Sequence, residues 1–388
     1  MINSQSKLLL ILLHFGFLIS CDQTLPTIEI TKEEAIKWDE KETCLISYHS
    51  GSENIELDAE IKLRGGVSSR YGKHSYRVEL KEKYGLGGLP SDDDWILNAN
   101  YIDKTFMRHK ISYDLFRQMN RRNVASKCAY VNVLENGRNQ GLYVLMEKVN
   151  ASMVGLDKKD SLALLFKDPP VFYQEVQEPQ NYYQQKYPEI DQSDQSDYLG
   201  EFRDLLFNSS DIVFAQTISK WIDLVNITEW HLLLLLTNNS DGIMKNFYLY
   251  KIDSKTPFRV AIWDYDHSFG RDGDNEKNMT ERELDCRRSV LLRRLMEIPE
   301  FRYNENLRRR WGELRKSGVI SNQNIEKLVQ ENDRLIRKAV EANFKIWSVD
   351  SKWYFDDNNY PKERDMIIDF ARLRIKQLDE RFQYLGNE

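Results

Sequence analysis

The chain has 388 residues, 41% hydrophobic and 30% charged, enough for two lobes with cores of their own. Its net charge of −6 excludes the basic face that nucleic-acid binding needs, so no nucleic acid is expected as a partner. Four cysteines, Cys21, Cys44, Cys128 and Cys286, are too few and too scattered for a disulfide framework, and the last three read as small buried side chains.

Residues 1–20 read as an export signal: Lys7, then an apolar run from Leu8 to Ile19 that is too short to span a bilayer. Leu18-Ile19-Ser20-Cys21 resembles the lipobox of bacterial lipoproteins, which makes Cys21 the lipidation site. The expected location is the bacterial cell envelope, peripheral to a membrane through that anchor. An ordinary signal peptide with an incidental cysteine is the alternative.

Residues 21–150 are expected to form a β-rich lobe with one helix. Ile55 to Arg64 and Ser75 to Leu80 alternate with period two, as half-buried strands do. Between them, Gly65-Gly66-Val67-Ser68-Ser69-Arg70 forms a Gly/Ser loop rimmed by Arg64, Arg70, Lys73 and Arg77. Such a loop suits either a plain hairpin or a cover for phosphates, made of backbone N–H groups and cations. A helix is expected from Asp103 to about Met119, with Asp103 as its cap. Ala129 to Leu134 and Gln140 to Val149 flank Glu135-Asn136-Gly137, a hairpin turn.

Residues 151–388 are expected to form a mostly helical lobe. Residues 168–200, rich in Pro, Gln, Tyr and Asp, read as a long irregular insertion. The tail reads as amphipathic helices over 289–297, 301–316, 322–347 and 363–382. Arg308-Arg309-Arg310 reads as a solvated helix face.

Between these lies the stretch that carries chemistry. An apolar helix ends at Leu236; Asn238 to Gly242 form a polar loop containing Asp241; Asn246 opens a strand, and a second strand, Phe258 to Trp263, delivers Asp264 and Asp266. A hairpin returns Asp264 beside Asp241 and Asn246, so two carboxylates and an amide share a cleft floor. Magnesium or manganese takes oxygen ligands of this kind and completes its shell with water and phosphate. Asp241 and Asn246 carry the offset between base and metal-binding Asn in the protein-kinase catalytic loop, and Asp264 takes the place of the metal-binding Asp that follows. The kinase words His-Arg-Asp and Asp-Phe-Gly are absent. Asp266 suits a second metal contact or an orienting role. In a kinase, a strand placed like 140–149 ends in the hinge whose backbone pairs the adenine edge, here Glu147 to Val149.

Five separated segments resemble the CotH kinase family in order: RGGVSSRYGKHSYRVEL, NANYIDKTFMRHKISYDL, NGRNQGLYVLMEKV, KWIDLVNITEWHLLLLLTNNSDGIMKNFYLY and FRVAIWDYDHSFG. The resemblance implies an α+β, atypical protein-kinase-like fold of two lobes, a β-rich N-lobe and a helical C-lobe carrying the central hairpin. It implies binding of ATP and Mg2+ (or Mn2+), with Asp241 catalytic and Asn246 and Asp264 on the metal. Trp263 and Tyr143 would contact adenine, and Arg64, Arg77, Ser68 and Ser69 the phosphates. Two departures stand out: Gly66 where the family often has Asn, and Arg77 where a phosphate-binding Lys is expected. The reaction so implied is γ-phosphoryl transfer to a hydroxyl of a protein substrate or of the chain itself. Two other readings stay open. One is a binding protein that keeps the fold without turnover. The other is a metal-dependent hydrolase or glycosyltransferase built on Asp264 and Asp266 with Asp272, Asp274 and Glu276.

Overall fold

The computed structural model describes residues 24–173, 184–271, 279, 282–348 and 358–386. The export segment with Cys21, and Asp272, Asp274 and Glu276, lie outside the described residues.

Period-two alternation builds the first architectural unit, a closed barrel of seven strands. In chain order these are β1 (Thr27–Thr31), β2 (Glu42–Ser50), β3 (Glu53–Arg64), β4 (Ser75–Tyr84), β5 (Asp92–Asn98), β6 (Cys128–Glu135) and β7 (Arg138–Glu147). Neighbours pair antiparallel in the order β1-β2-β3-β4-β5-β7-β6, and a parallel contact of β1 with β6, Ile28 opposite Val133, closes the ring. The inward set, including Ile46, Ile61, Val78, Trp95, Leu97, Val131, Tyr143 and Leu145, fills the lumen. Asn136 and Gly137 have φ of +47° and +74°, the left-handed pair that a tight two-residue hairpin between β6 and β7 demands.

On β5 to β7 the outward set is apolar too. Ile96, Cys128, Tyr130, Leu142, Val144 and Met146 pack into a second, larger core with the helices. This accounts for the unbroken apolar run in β7, which is buried on both faces.

Helix α1 (Arg108–Met119) starts later than the sequence suggests. Asp103 is no helix cap. Its carboxylate accepts from Thr105 N (3.0 Å) and Arg108 N (3.1 Å), and Phe106 sits at φ +60°, so this stretch is a tight turn. Arg108, fully buried, then ties the turn to the rest of the fold. It donates to Asp103 (2.7 Å), to Glu363 (3.1 Å) and to the Ser268 carbonyl (2.9 Å). The side chains of α1 join the helical core, not the barrel lumen.

A second sheet has the order β11-β10-β8-β9, from β8 (Leu164–Lys167), β9 (Gln184–Tyr187), β10 (Phe247–Lys251) and β11 (Arg259–Ile262). β10 and β11 are the expected hairpin, with Phe247 opposite Ile262. The expected irregular insertion is more ordered than its composition suggests: β9 lies inside it and pairs antiparallel with β8, and α2 (Ser196–Phe207) begins inside it. The remaining helices are α3 (Asp211–Trp221), α4 (Leu224–Thr237), α5 (Val290–Glu297), α6 (Tyr303–Lys316), α7 (Asn322–Ile346) and α8 (Tyr360–Arg381). The last four match the amphipathic tail read from periodicity to within a few residues at each end. Arg310 departs from the solvated face expected of it, since its guanidinium donates to buried Glu229 (2.7 Å). Cys44, Cys128 and Cys286 are buried, free thiols.

Candidate active site

Asp223 caps α4 by accepting from Val225 N and Asn226 N, and the helix ends at Asn238 in the left-handed conformation. This turn throws the polar loop across the start of β10. Asp241 opens a short 3-10 turn; Asn246 and Asp264 then take φ of +64° and +57°. Left-handed backbone at a non-glycine residue costs of order 1–3 kcal/mol and persists where its surroundings over-determine it. Here they do. Trp263 N donates to Asn246 O (3.0 Å), Asn246 Nδ2 donates to Asp264 O (3.3 Å), and Asn246 N donates to Asp168 Oδ1 (2.7 Å). Asn246 thus spends its amide N–H on the hairpin and keeps Oδ1 as an acceptor.

Helix α1 holds Asp264 from the other side. His109 and Tyr113, one turn apart, meet on one face. The Tyr113 hydroxyl accepts from Asp264 N (2.9 Å) and His109 Nε2 lies 3.1 Å from Asp264 Oδ1. His109 is 1% exposed, whereas the Asp264 side chain is 46% exposed and open to the cleft. Desolvation on the cleft floor works against ionisation of Asp264, but the His109 hydrogen bond and charge, with Arg64 and His267 nearby, hold its carboxyl well below the usual range. Asp266, two residues on, is pushed up by burial and by the charge of Asp264. Asp241 has Lys245 at 3.1 Å and His267 at 3.8 Å.

The cleft above these residues measures about 790 Å³ and is walled by β3–β5 on one side and the β8–β11 sheet on the other. Arg64, Ser68, Arg77, Asp241, Asn246, Trp263, Asp264 and Asp266 all line it. Gly65, at φ +124°, lets the loop fold down, because a Cβ there would sit 2.1 Å from Ser68 Oγ. Arg64 reaches over the Trp263 ring, 5.7 Å from its centre.

Four expected contacts are not on this lining. Tyr143 points into the barrel lumen: its hydroxyl donates to His74 O (2.9 Å) and its ring stacks on Tyr76. Glu147 N is already paired with Lys127 O (3.2 Å), and its carboxylate accepts from Lys127 N (2.7 Å), so no free hinge edge is presented there. Val149 is buried in the helical core. The Ser69 hydroxyl donates to Gly66 O (2.7 Å) within its own turn. Arg77 lines the cleft with its guanidinium committed, donating to both oxygens of Asp94 (2.9 and 3.1 Å) and to Glu79 (3.0 Å). Lys73 is not on the loop's rim but buried, donating to Ala99 O (3.1 Å) and Asn343 Oδ1 (3.0 Å).

The residues that sequence reasoning missed are cations and one imidazole. Lys62 stands directly across from Arg77 on neighbouring strands, a like-charge pairing that destabilises a sheet on its own. Lys148 binds Asp94, Lys167 lies 3.6 Å from Asp168, and Lys186 on β9 faces into the same cleft. Burial, with Lys148, Lys167, Arg77 and Lys62 around it, lowers Lys186 to about 8. His109 was legible only as a histidine at i−4 from Tyr113 on the apolar face of α1.

The donor set suits a divalent cation. One ring nitrogen of His109 and one oxygen each of Asp264 and Asp266 lie within 4.8 Å of one another. Donors about 2.1 Å from one octahedral ion stand about 3–4 Å apart, so small side-chain movements close the shell.

The CotH kinase protein family matches residues 61–378, from within β3 to within α8, and so takes in every cleft residue described above. The chain is also similar to the inner spore coat protein H of Bacillus subtilis (strain 168). The two are 25% identical over 254 residues, which cover 63% of this chain and 68% of that protein.

Proposed function

The chain belongs to the CotH kinase protein family, and from that membership we propose that it transfers the γ-phosphoryl group of ATP to a hydroxyl, on a protein substrate or on itself. The observation that carries this reading is the meeting of Asp241, Asn246 and Asp264 on the floor of one cation-walled cleft. In this reading the barrel and the helical body act as the two lobes of a kinase-like fold, with nucleotide between them.

Asp241 receives the proton of the acceptor hydroxyl. Lys245 and His267 beside it limit its approach and bias its orientation. Asp264, Asp266 and Asn246 Oδ1 hold Mg2+ or Mn2+, which when bound neutralises charge on the phosphates. Arg64, Lys148, Lys167 and Lys186 take the phosphate oxygens, and Ser68 with the Gly65-Gly66 backbone covers them. Trp263, whose ring is contacted by Arg64 and edge-on by Tyr248, is the aromatic surface for adenine. Catalysis of this type is mostly positioning and electrostatics. The α1 contacts that fix Asp264 therefore matter as much as the acids themselves. Residues 1–20 and Cys21 deliver the protein to the envelope as a lipoprotein, and similarity to a spore coat protein favours a surface location.

The test is incubation of the purified chain with γ-labelled ATP and Mg2+ or Mn2+, beside Asp241→Ala and Asp264→Ala. Label transfer by wild type, absent from both variants while both melt as wild type does, is expected. Metal-dependent ATP binding without transfer to any acceptor would move the reading to a binding protein; full turnover in either variant would refute it.

A further inference from the structure

We propose that His109 is an inner ligand of the cation in this cleft, and that the site consequently favours Mn2+ over Mg2+. The inference rests on reading the cleft as a divalent-cation site, and deepens it.

Neither the hairpin nor the Asp241–Asn246 spacing contains this residue; the fold brings it in from α1. His109 Nε2 stands 3.1 Å from Asp264 Oδ1. That separation suits a hydrogen bond, and it also equals the spacing of two adjacent donors around one ion at about 2.1 Å. Three further features favour a ligand. First, the ring is buried and Nε2 is the atom it turns to the cleft, beside Asp264 Oδ1. The polar partner that offsets its burial is therefore on the cleft side. Second, the ring direction is fixed by the face of α1 and by its edge-on contact with Tyr113, with centroids 5.9 Å apart. Third, Asp266 completes a compact three-donor group with His109 and Asp264.

The chemistry of the donors sets the preference. Mg2+ selects oxygen and keeps its waters, whereas an imidazole nitrogen favours first-row transition ions. One nitrogen with two or three oxygens is a mixed set that Mn2+ accepts readily and Mg2+ accepts poorly.

The experiment uses the purified full chain with Mn2+ alone, then with Mn2+ and ATP, after labelling its histidines with 15N. Pulsed electron paramagnetic resonance reads nitrogen coupling to the manganese. Competition with Mg2+ gives the affinity ratio. A histidine 15N coupling is expected in wild type and in His267→Gln, and is expected to vanish in His109→Gln. The Mn2+-over-Mg2+ ratio should also fall roughly tenfold in His109→Gln. If His109 only positions Asp264, both affinities fall together, the ratio holds and no histidine coupling is seen; that result overturns the proposal. Absence of Mn2+ binding with and without ATP overturns it as well. The wild-type spectrum decides even if His109→Gln folds poorly. A chain that shows the coupling yet transfers no phosphate would keep this inference and sink the kinase reading instead.

Discussion

Arg108→Met removes a cation that joins α1, the loop after β11 and α8. Arg108, Asp103 and Glu363 have fully buried side chains. Methionine fills much the same volume, so the loss is one of charge and hydrogen bonds rather than of packing. Breaking a buried pair by deleting one partner costs about 3–5 kcal/mol. Two acids are affected, but Glu363 keeps Arg271 and Asp103 keeps Thr105, so one such penalty is expected rather than two. With about 2.1 cal/mol/K of unfolding entropy per residue, the chain unfolds with roughly 0.8 kcal/mol/K, and the expected drop in Tm is about 4–6 °C. Calorimetry at neutral pH checks this. A pH series adds a sign. Burial alone would raise Asp103, yet the Arg108 charge and the Thr105 and Arg108 hydrogen bonds hold it below the usual carboxylate range. A folded pKa below the unfolded value gives stability that is present above about pH 4 and lost as the pH falls through the folded value. In the variant that contribution is gone, so the gap between the two proteins should narrow in acid. A Tm drop under 1 °C at neutral pH, or a gap that widens in acid, would refute the assignment of Arg108 as a buried structural cation.

Two smaller perturbations test which side chains reach the cleft. Lys186, lowered to about 8, carries its charge below that pH and loses it above. Nucleotide affinity measured by calorimetry should therefore weaken as the pH rises through 8 in wild type and stay flat in Lys186→Arg; parallel curves would remove Lys186 from the site. Tyr143→Phe deletes the hydroxyl that donates to His74 O in the barrel lumen and also meets the Tyr76 hydroxyl. It should cost about 1 kcal/mol of stability in denaturant unfolding and leave ATP affinity unchanged. A large loss of affinity would return Tyr143 to the cleft.

Much of this fold is written in local periodicity, and what is not has a physical reason. The tail helices and the β10–β11 hairpin follow from repeats of 3.6 and 2 that involve only near neighbours in sequence. Closure of the barrel depends on β1 lying parallel to β6, with Ile28 opposite Val133 across a hundred residues, and nothing local encodes that. The inward direction of Tyr143 is not legible locally, because β7 is apolar on both faces. Alternation then carries no sign, and the parity that sends Tyr143 inward and Leu142 outward is fixed only by the partner strands. Gln184 to Tyr187 has too few apolar residues to declare a strand; it becomes one by pairing with β8, and so brings Lys186 to the cleft.

The site divides along the same line. Asp241, Asn246 and Asp264 sit on one hairpin and its approach, so their spacing was readable and their convergence followed from a turn. The groups that tune them come from elsewhere: His109 and Tyr113 from α1, Asp168 from the end of β8, and the lysines from strands of both sheets. Each is polar on a surface that sequence would assign either to core or to solvent. Their roles arise only where two such surfaces face each other. A cleft built this way separates its reacting groups from the scaffold that orients them. Changes on α1 should therefore alter how Asp264 is held without touching the hairpin that carries it.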